Sequence, residues 1–233
     1  MRFVGQNALV TGAAGGIGTA LVKTLEAEGA RVFGVDRAHG DLSDPAYADS
    51  LPQQAADALG GLDLVFNNAG IITRGAITHS SHSDISQTLS INIEAPARIC
   101  RAAIPLMAQG GGGAIVNTAS CWGLRPGPNH ALYCMSKAAL AALTQCMGRD
   151  HAHENIRINA VAPNEVDTPM LRTGFIARGY DPDTAIADLA QTIPIGHVAS
   201  AQEIVDAMVF LASTDARYIT GTVLEINGGK AVG

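Results

Sequence analysis

Short apolar runs alternate with longer helical patterns along most of this chain. Each run has the length of one buried strand, and each helical pattern has the length of a crossover connection. A strand, a helix and a second strand in succession build a parallel sheet with helices on both faces, so we predict an α/β fold with a doubly wound parallel sheet. Strands are expected at residues 8–10, 31–35, 62–66, 113–117, 156–160 and 223–226, and helices at 18–28, 44–59, 83–109, 131–150 and 201–212.

The chain has 233 residues, a length at which α/β folds commonly form one unit, so we expect a single domain over residues 1–233.

The connection after the second predicted strand is unusually short. Only residues 37–40 separate Asp36 from Asp41 and Leu42, where a third strand would lie. A parallel crossover through a helix needs roughly a dozen residues. The helix between strands two and three is therefore predicted to be missing, and the third strand vestigial.

Composition excludes several classes of partner. The net charge is -6 with no basic cluster, which argues against binding to a nucleic-acid backbone. No apolar run is long enough to span a membrane, and the first residues lack the features of a signal peptide. The four cysteines have neither CxxC nor metal-finger spacing, and the histidines show no metal-binding pattern. We expect a cytoplasmic protein with reduced thiols and no metal.

A glycine-rich turn follows the first strand and opens the first helix. In that position, glycines let the backbone approach a pyrophosphate at the positive end of a helix. The spacing departs from the strict GxGxxG pattern, because the glycines in register are Gly12, Gly16 and Gly18. The turn predicts a dinucleotide site formed by Gly12, Gly15, Gly16, Ile17 and Gly18.

Asp36 lies 18 residues beyond Gly18, at the end of the second predicted strand. A carboxylate there can accept hydrogen bonds from both adenosine ribose hydroxyls and would repel a 2'-phosphate. We therefore expect NAD rather than NADP as the cofactor. The adjacent Arg37 keeps the alternative open, since a guanidinium could stack on adenine or pair with a 2'-phosphate.

Tyr133 and Lys137 are four residues apart on one predicted helix, downstream of Ser120. This spacing can bring a phenol and an ammonium together, and a nearby positive charge favours the phenolate. A tyrosine in that setting can act as a general acid or base near neutral pH. Together with the glycine-rich turn, the spacing indicates a nicotinamide-dependent oxidoreductase.

Four motifs in this order resemble those of the short-chain dehydrogenase/reductase family. They are TGxxxGxG at 11–18, NNAG at 67–70, Ser120 with YxxxK at 133–137, and TG at 220–221 followed by INGG at 226–229. The resemblance covers residues 7–229 and implies a Rossmann-like fold and a homotetramer. It also implies that Tyr133 is the general acid/base, assisted by Lys137, that Ser120 binds the substrate oxygen, and that Asn92 serves a proton relay.

The same resemblance implies further cofactor contacts. Lys137 would also hold the nicotinamide ribose, and Tyr133 would lie beside the nicotinamide. Asp41 and Leu42 would bind adenine. Asn68, Ala69 and Gly70 would bind the adenosine ribose and the diphosphate. Val166 and Thr168 would bind the carboxamide of nicotinamide.

The chain departs from the family at Asn164, where a glycine usually follows proline. Asparagine tolerates positive φ, so we expect that conformation here. Asn164 is either a substrate-specific group or a harmless left-handed residue. Glu165 and Arg172 could simply pair with each other. Residues 168–198 resemble a mobile lid, and the substrate is expected to contact Ser120, Trp122, His130 and Asn164.

These features predict hydride transfer between NAD(H) and a small polar alcohol or ketone, such as a sugar, a sugar acid or a cyclic diol. One alternative is an NADPH-dependent 3-oxoacyl thioester reductase, against which Asp36 argues. A second is a dinucleotide-sensing protein without turnover, because a fold alone does not establish activity.

Overall fold

Six parallel strands form one sheet in the order β2-β1-β3-β4-β5-β6. The structure, a computed structural model, describes residues 1–230. The chain runs from β1 to β2 on one side and then crosses back to β3 on the other side of β1, so the strand order reverses beside β1 and opens a crevice there. The strands are β1 Asn7–Thr11, β2 Arg31–Val35, β3 Leu64–Asn67, β4 Gly113–Thr118, β5 Ile156–Pro163 and β6 Val223–Ile226.

Helices cover both faces of this sheet. They are α1 Gly16–Ala27, α2 Pro45–Leu59, α3 His82–Leu89, α4 Ala95–Gln109, α5 Cys121–Leu124, α6 Ala131–Asp150, α7 Pro169–Ile176, α8 Pro182–Ala190 and α9 Ala201–Ala212. Short 3-10 turns lie at Ile77–His79, Ala152–Glu154 and Thr214–Ala216. None of the helices within residues 1–230 combines the length and apolar character needed to cross a lipid bilayer.

Alternating side chains of the central strands build two cores. Ala8 and Val10 of β1 pack with α1 and α9 on one face, whereas Leu9 packs with α2 and α4 on the other. All three side chains are fully buried. Because successive side chains of a strand point to opposite faces, a strand covered on both sides must be apolar throughout. This explains the continuous apolar runs in the sequence.

The sheet edge is trimmed beside β2, as the short connection predicts. No strand forms at Asp41 and Leu42, and no helix lies between β2 and these two residues. The chain turns directly into α2, where the Asp44 carboxylate accepts a hydrogen bond from the backbone N–H of Ala46 at 2.9 Å. β2 is consequently an edge strand of the sheet.

The single helix predicted over 83–109 is wrong. The structure has α3, then a π-helical turn at Ser90–Glu94, and then α4. Pro96 follows the turn and has no N–H to donate, which removes one bond from the helical ladder. Asn92 lies within this turn, and its side chain bonds to groups outside the helix. The interruption therefore occurs at a predicted site residue.

Candidate active site

A cavity of about 580 Å³ lies at the carboxyl ends of β1, β3, β4 and β5. This is where the strand order reverses, and ligands of open parallel sheets bind at such a point. All of the residues predicted for the site line this cavity except Gly18 and Asn92. Those two lie behind its wall, Gly18 against Gly12 and Asn92 against Ile71.

The glycine-rich turn between β1 and α1 forms one wall. Gly12 has a φ of +67°, and a Cβ there would lie 2.9 Å from the Cα of Ala69. A Cβ at Gly18 would collide with the carbonyl oxygen of Gly12. α1 begins at Gly16 without a side-chain cap, so its first N–H groups stay available to an anion. This cradle fits the pyrophosphate of a dinucleotide.

Asp36 stands at the end of β2 beside the glycine-rich turn. Its carboxylate accepts hydrogen bonds from the backbone N–H groups of Ala14, at 3.0 Å, and Arg37, at 2.7 Å. These bonds fix the carboxylate at this end of the cavity. The other predicted residues lining this end are Arg37, Asp41 and Leu42. Tyr47, which no sequence motif marks, also lines this end, and its ring packs so closely on Gly40 that a Cβ there would collide with it.

Thr11 connects the turns after β1 and β3. Its hydroxyl accepts hydrogen bonds from the N–H groups of Asn68, at 3.2 Å, and Ala69, at 3.1 Å. The Asn68 amide donates in return to the carbonyls of Thr11 and Gly12, both at 3.2 Å. The next residue, Gly70, completes this part of the wall, and the network holds the two turns as one surface.

Ser120, Tyr133 and Lys137 all face the cavity. The Lys137 Nζ lies 5.9 Å from the centre of the Tyr133 ring and donates to the carbonyl of Thr118 at 2.7 Å. The Ser120 Oγ caps α5, accepting from the N–H of Trp122 at 3.2 Å and donating to the carbonyl of Pro163 at 3.3 Å. A hydroxyl, a phenol and an ammonium therefore converge beside the dinucleotide cradle.

Burial shifts the pKa values of the two titratable groups of this cluster, Tyr133 and Lys137. It raises the pKa of the Tyr133 phenol, while the Ser120 hydroxyl and the positive charge of Arg74 oppose that rise. Burial lowers the pKa of the Lys137 ammonium to about 8. Without further positive charge Tyr133 keeps its proton at neutral pH, which suits a general acid.

Asn92 holds the segment after β3 against α6. Its Oδ1 accepts from the N–H of Ile71, and its Nδ2 donates to the carbonyl of Ile71, both at 2.8 Å. The Nδ2 also donates to Ser136 at 3.0 Å, and Ser136 in turn donates to the carbonyl of Tyr133 at 2.8 Å. These contacts make Asn92 a positioning residue for the helical turn that carries Tyr133.

Val166 and Thr168 follow β5 and close the other end of the predicted dinucleotide site. The Thr168 hydroxyl donates to the carbonyl of Val166 at 3.3 Å. Its methyl group packs on Gly16, where a Cβ would approach to 2.8 Å. The segment after β5 thus contacts the glycine-rich turn directly, and the cavity passes between them.

The expected positive φ at Asn164 is wrong. Within residues 1–230 the non-glycine residues with positive φ are Asn129 and Asn155. The N–H of Asn164 donates to the carbonyl of Ile226 at 3.1 Å, continuing the pairing of β5 with β6. Both polar atoms of the Asn164 amide are buried, and neither has a hydrogen-bond partner in the described chain. Asn164 lines the cavity, but the polar atoms of its amide are buried.

The expected pairing of Glu165 with Arg172 is also wrong. Glu165 pairs with Lys230 at 3.0 Å, whereas Arg172 pairs with Asp167 at 2.6 Å and with Asp183 at 2.8 Å. Arg172 of α7 thus bonds to Asp167, which precedes α7, and to Asp183 of α8. These two aspartates occupy its donors.

Trp122 and His130 lie together on the substrate side, with ring centroids 4.6 Å apart. Sequence reasoning missed two further cationic residues of this cavity, Arg74 and Arg178. Neither belongs to a recognisable motif, and each is brought to the site by a connection between elements.

The family assignment rests on matches along the whole chain. Residues 33–231 match the family described as enoyl-(acyl carrier protein) reductase, and residues 6–42 match the family described as short chain dehydrogenase. An L-xylulose reductase of Bos taurus is 35% identical over 243 residues, covering 98% of both chains. A 3-oxoacyl-[acyl-carrier-protein] reductase of Escherichia coli is 32% identical over 247 residues, again covering 98% of both.

Solved structures agree in fold. A levodione reductase superposes with a TM-score of 0.91 at 30% identity, covering 98% of both chains. A 3-ketoacyl-(acyl-carrier-protein) reductase from Brucella melitensis, complexed with NADH, has a TM-score of 0.88 at 26% identity, covering 99% of this chain and 100% of that one. A short chain dehydrogenase from Burkholderia cenocepacia, in complex with NADP, has a TM-score of 0.86 at 32% identity, covering 98% of this chain and 99% of that one. The chain belongs to the short-chain dehydrogenase/reductase family of oxidoreductases, which use nicotinamide dinucleotide cofactors.

Proposed function

We propose that this protein transfers a hydride between NAD(H) and a small polar alcohol or ketone, in the class of sugars, sugar acids and cyclic diols. The observation that carries this proposal is the convergence of Ser120, Tyr133 and Lys137 on one cavity beside the glycine-rich turn. Bound NAD(H) supplies or accepts the hydride. A relative that reduces a sugar, the L-xylulose reductase, supports the polar substrate class.

Each residue of the cluster has a separate task in this reaction. Tyr133 gives its proton to the substrate oxygen during reduction and takes it back during oxidation. Ser120 donates a hydrogen bond to the same oxygen. The Lys137 ammonium favours the phenolate and binds the nicotinamide ribose. Asn92 fixes the helical turn that carries Tyr133.

We infer that NAD is preferred over NADP because the Asp36 carboxylate is fixed beside the adenosine end of the cavity. Substituting Asp36→Ala removes two acceptors for the ribose hydroxyls and the repulsion of a 2'-phosphate. The ratio of kcat/KM for NAD to that for NADP should fall about tenfold or more, since each charge-assisted hydrogen bond contributes about 1.5–3 kcal/mol. Steady-state kinetics with both cofactors measures this ratio, and an unchanged ratio contradicts the assignment.

The segment 168–198 is proposed as the lid over the substrate. Its base is a bridge between Val166 and Ala199, with the N–H of Asp167 donating to the carbonyl of Ala199 at 2.8 Å. α7 and α8 lie beyond this bridge and can move without disturbing the sheet.

The four free cysteines are in keeping with a reducing compartment such as the cytoplasm.

Fluorescence and turnover test the proposal together. Trp122 is the only tryptophan and lines the cavity, so energy transfer from it to NADH reports binding at this site. NADH should bind more tightly than NADPH, and a panel of polyols, sugar acids and cyclic alcohols should reveal turnover. Failure to bind either cofactor contradicts the function, whereas tight binding without any turnover favours the sensor alternative.

A 3-oxoacyl thioester reductase is the second candidate. It is favoured by the 32% identity with the Escherichia coli enzyme over nearly the full length of both proteins. A 3-oxoacyl thioester added to the same panel decides between the two. Turnover of that thioester with NADPH above all polar alcohols would support the second candidate over the first.

A further inference from the structure

Two arginines at the substrate side of the cavity have no acidic partner. Arg74 lies on the connection after β3, and Arg178 lies just beyond α7, on the proposed lid. Throughout residues 1–230, no carboxylate comes within 4.0 Å of either guanidinium. Arg74 makes no side-chain hydrogen bond to a described residue, and Arg178 uses only its Nε, which donates to the carbonyl of Gly174 at 2.9 Å. Both side chains are exposed, and most of their donors have no partner among the described residues.

Gly174 brings the two guanidiniums together. It is buried within α7, and a Cβ at this position would lie 2.5 Å from the Arg74 Nη2. Arg74 therefore packs on the same helical turn whose carbonyl holds Arg178. The Arg178 guanidinium also stacks at 4.9 Å from the centre of the Phe175 ring, which restricts its position. Both cations are held in place without charge compensation.

The backbone beside Arg74 is fixed relative to the catalytic helix. The N–H of Gly75 donates to the carbonyl of Asn129 at 2.7 Å, and Gly75 forms a bridge with His130, the residue preceding α6. Arg74 and Tyr133 line the same cavity, and the charge of Arg74 lowers the pKa of the Tyr133 phenol. A group bound by Arg74 would thus lie near the reacting oxygen.

Arg74 and Arg178 are both exposed at the cavity, and their positive charges repel each other. Partial burial and the positive charge of Arg178 both lower the pKa of Arg74. Asp167 and Glu165 do not neutralise these two arginines, because Asp167 is bound to Arg172 and Glu165 is bound to Lys230. An oxyanion placed between the two guanidiniums would remove this repulsion and satisfy their donors, since Arg binds carboxylates and phosphates with paired N–H groups.

We propose that the substrate carries an oxyanion, a carboxylate or a phosphate, which binds between Arg74 and Arg178 while its alcohol or carbonyl group meets Ser120 and Tyr133. This inference rests on the proposed function and narrows it from polar substrates to acidic ones. Because Arg178 belongs to the proposed lid and Arg74 to the body of the protein, the oxyanion would also tie the lid closed over the reacting group.

Matched acidic and neutral compounds test the inference. Calorimetry on the complex with NADH would compare gluconate with glucose, 3-hydroxybutyrate with 2-butanol, and glucose 6-phosphate with glucose. At least one acid should bind ten times more tightly than its neutral partner. The first two pairs report a carboxylate and the third a phosphate. If no acid in the three pairs exceeds its neutral partner, the inference is overturned.

Variants locate the binding group. Arg178→Gln and Arg74→Gln should each weaken binding of the selected acid about tenfold to a hundredfold, with no such change for its neutral partner. Gly174→Ala should weaken the same acid by displacing Arg74, and the flexible end of that side chain can move without unfolding the protein. Arg149→Gln removes an exposed arginine outside the cavity and serves as the control of equal charge.

The outcomes separate this inference from the proposed function. If the Arg178→Gln and Arg74→Gln variants bind the acid as the wild type does, the oxyanion site is overturned while hydride transfer stands. If the wild type binds no acid more tightly than its neutral partner, the oxyanion site is likewise overturned while hydride transfer stands. Loss of NADH binding or of all hydride transfer in the wild type would instead overturn the proposed function.

Discussion

The Lys137 ammonium lies at the base of the cavity, and its pKa decides where it carries charge. Burial lowers that pKa to about 8 from an ordinary value of 10.5. Lys137 is therefore positive below about pH 8 and neutral above it. Since its charge assists Tyr133 and binds the ribose, kcat/KM for ketone reduction should fall as the pH rises through 8.

Measuring kcat/KM between pH 6 and 10 in steps tests this dependence. The Lys137→Met variant should be much slower at every pH and should lack the fall near pH 8, because it has no titrating ammonium. A wild-type profile that stays level to pH 10 would contradict the assigned role of Lys137.

At the scale of residues, sequence reasoning works where chemistry depends on close spacing. Tyr133 and Lys137 are one helical turn apart, so their approach follows from helix geometry alone. Arg74 and Arg178 lie on separate connections, and only the packing around Gly174 unites them. The conformation of Asn164 depends on a backbone bond to Ile226, a partner distant in sequence.

At the scale of elements, an arginine of β5, Arg157, binds the carboxyl end of α9. Arg157 donates to the carbonyls of Leu211, at 2.6 Å, Ala212, at 2.8 Å, Ser213, at 2.9 Å, and Ala216, at 3.1 Å. Leu211 and Ala212 are at the end of α9, where carbonyls lack helical partners, whereas Ser213 and Ala216 also accept from backbone N–H groups of the chain that follows. Arg157→Lys cannot reach all four, so the free energy of unfolding should fall by about 2–3 kcal/mol.

Urea denaturation measures this loss as a lower midpoint at an unchanged m-value. The matched control is Arg149→Lys, an exposed substitution at the end of α6 expected to change stability by less than about 0.5 kcal/mol. A similarly small change for Arg157→Lys would show that water replaces the arginine without cost.

Elements were predictable in kind and less so in their limits. All six strands occur where the apolar runs lie, and the four central strands need such runs because both of their faces are buried. The limits of α6 and α9 also agree with the sequence pattern. The division of 83–109 into two helices depends on Pro96 and on the bonds of Asn92 to other segments, which periodicity does not reveal.

Across the whole molecule, the order of elements in the sequence determined the layered fold and the trimmed sheet edge. We propose that four such chains assemble, as the family resemblance implies. Apolar side chains remain at the surface of α6 and β6, where Met135 is 45% exposed and Leu224 is 38% exposed, and Tyr218 is fully exposed nearby in sequence. Association would remove this apolar surface from water.

Light scattering should therefore give a mass four times that of the 24.0 kDa chain. Leu224→Glu should reduce this mass to that of a dimer, because it places a charge on the β6 surface while leaving the α6 surface intact. Asp215→Asn, an exposed change on the preceding turn, provides the control. A wild-type protein that stays monomeric at micromolar concentration would contradict the proposal.

The central claim is that Tyr133 moves the proton that accompanies hydride transfer. Tyr133→Phe keeps the ring and removes only the hydroxyl, so we would measure both turnover and energy transfer from Trp122 to NADH in this variant. Turnover should fall by about 10²–10⁴-fold while the affinity for NADH stays unchanged. Turnover at the wild-type rate would contradict the account, because another group would then have to carry the proton.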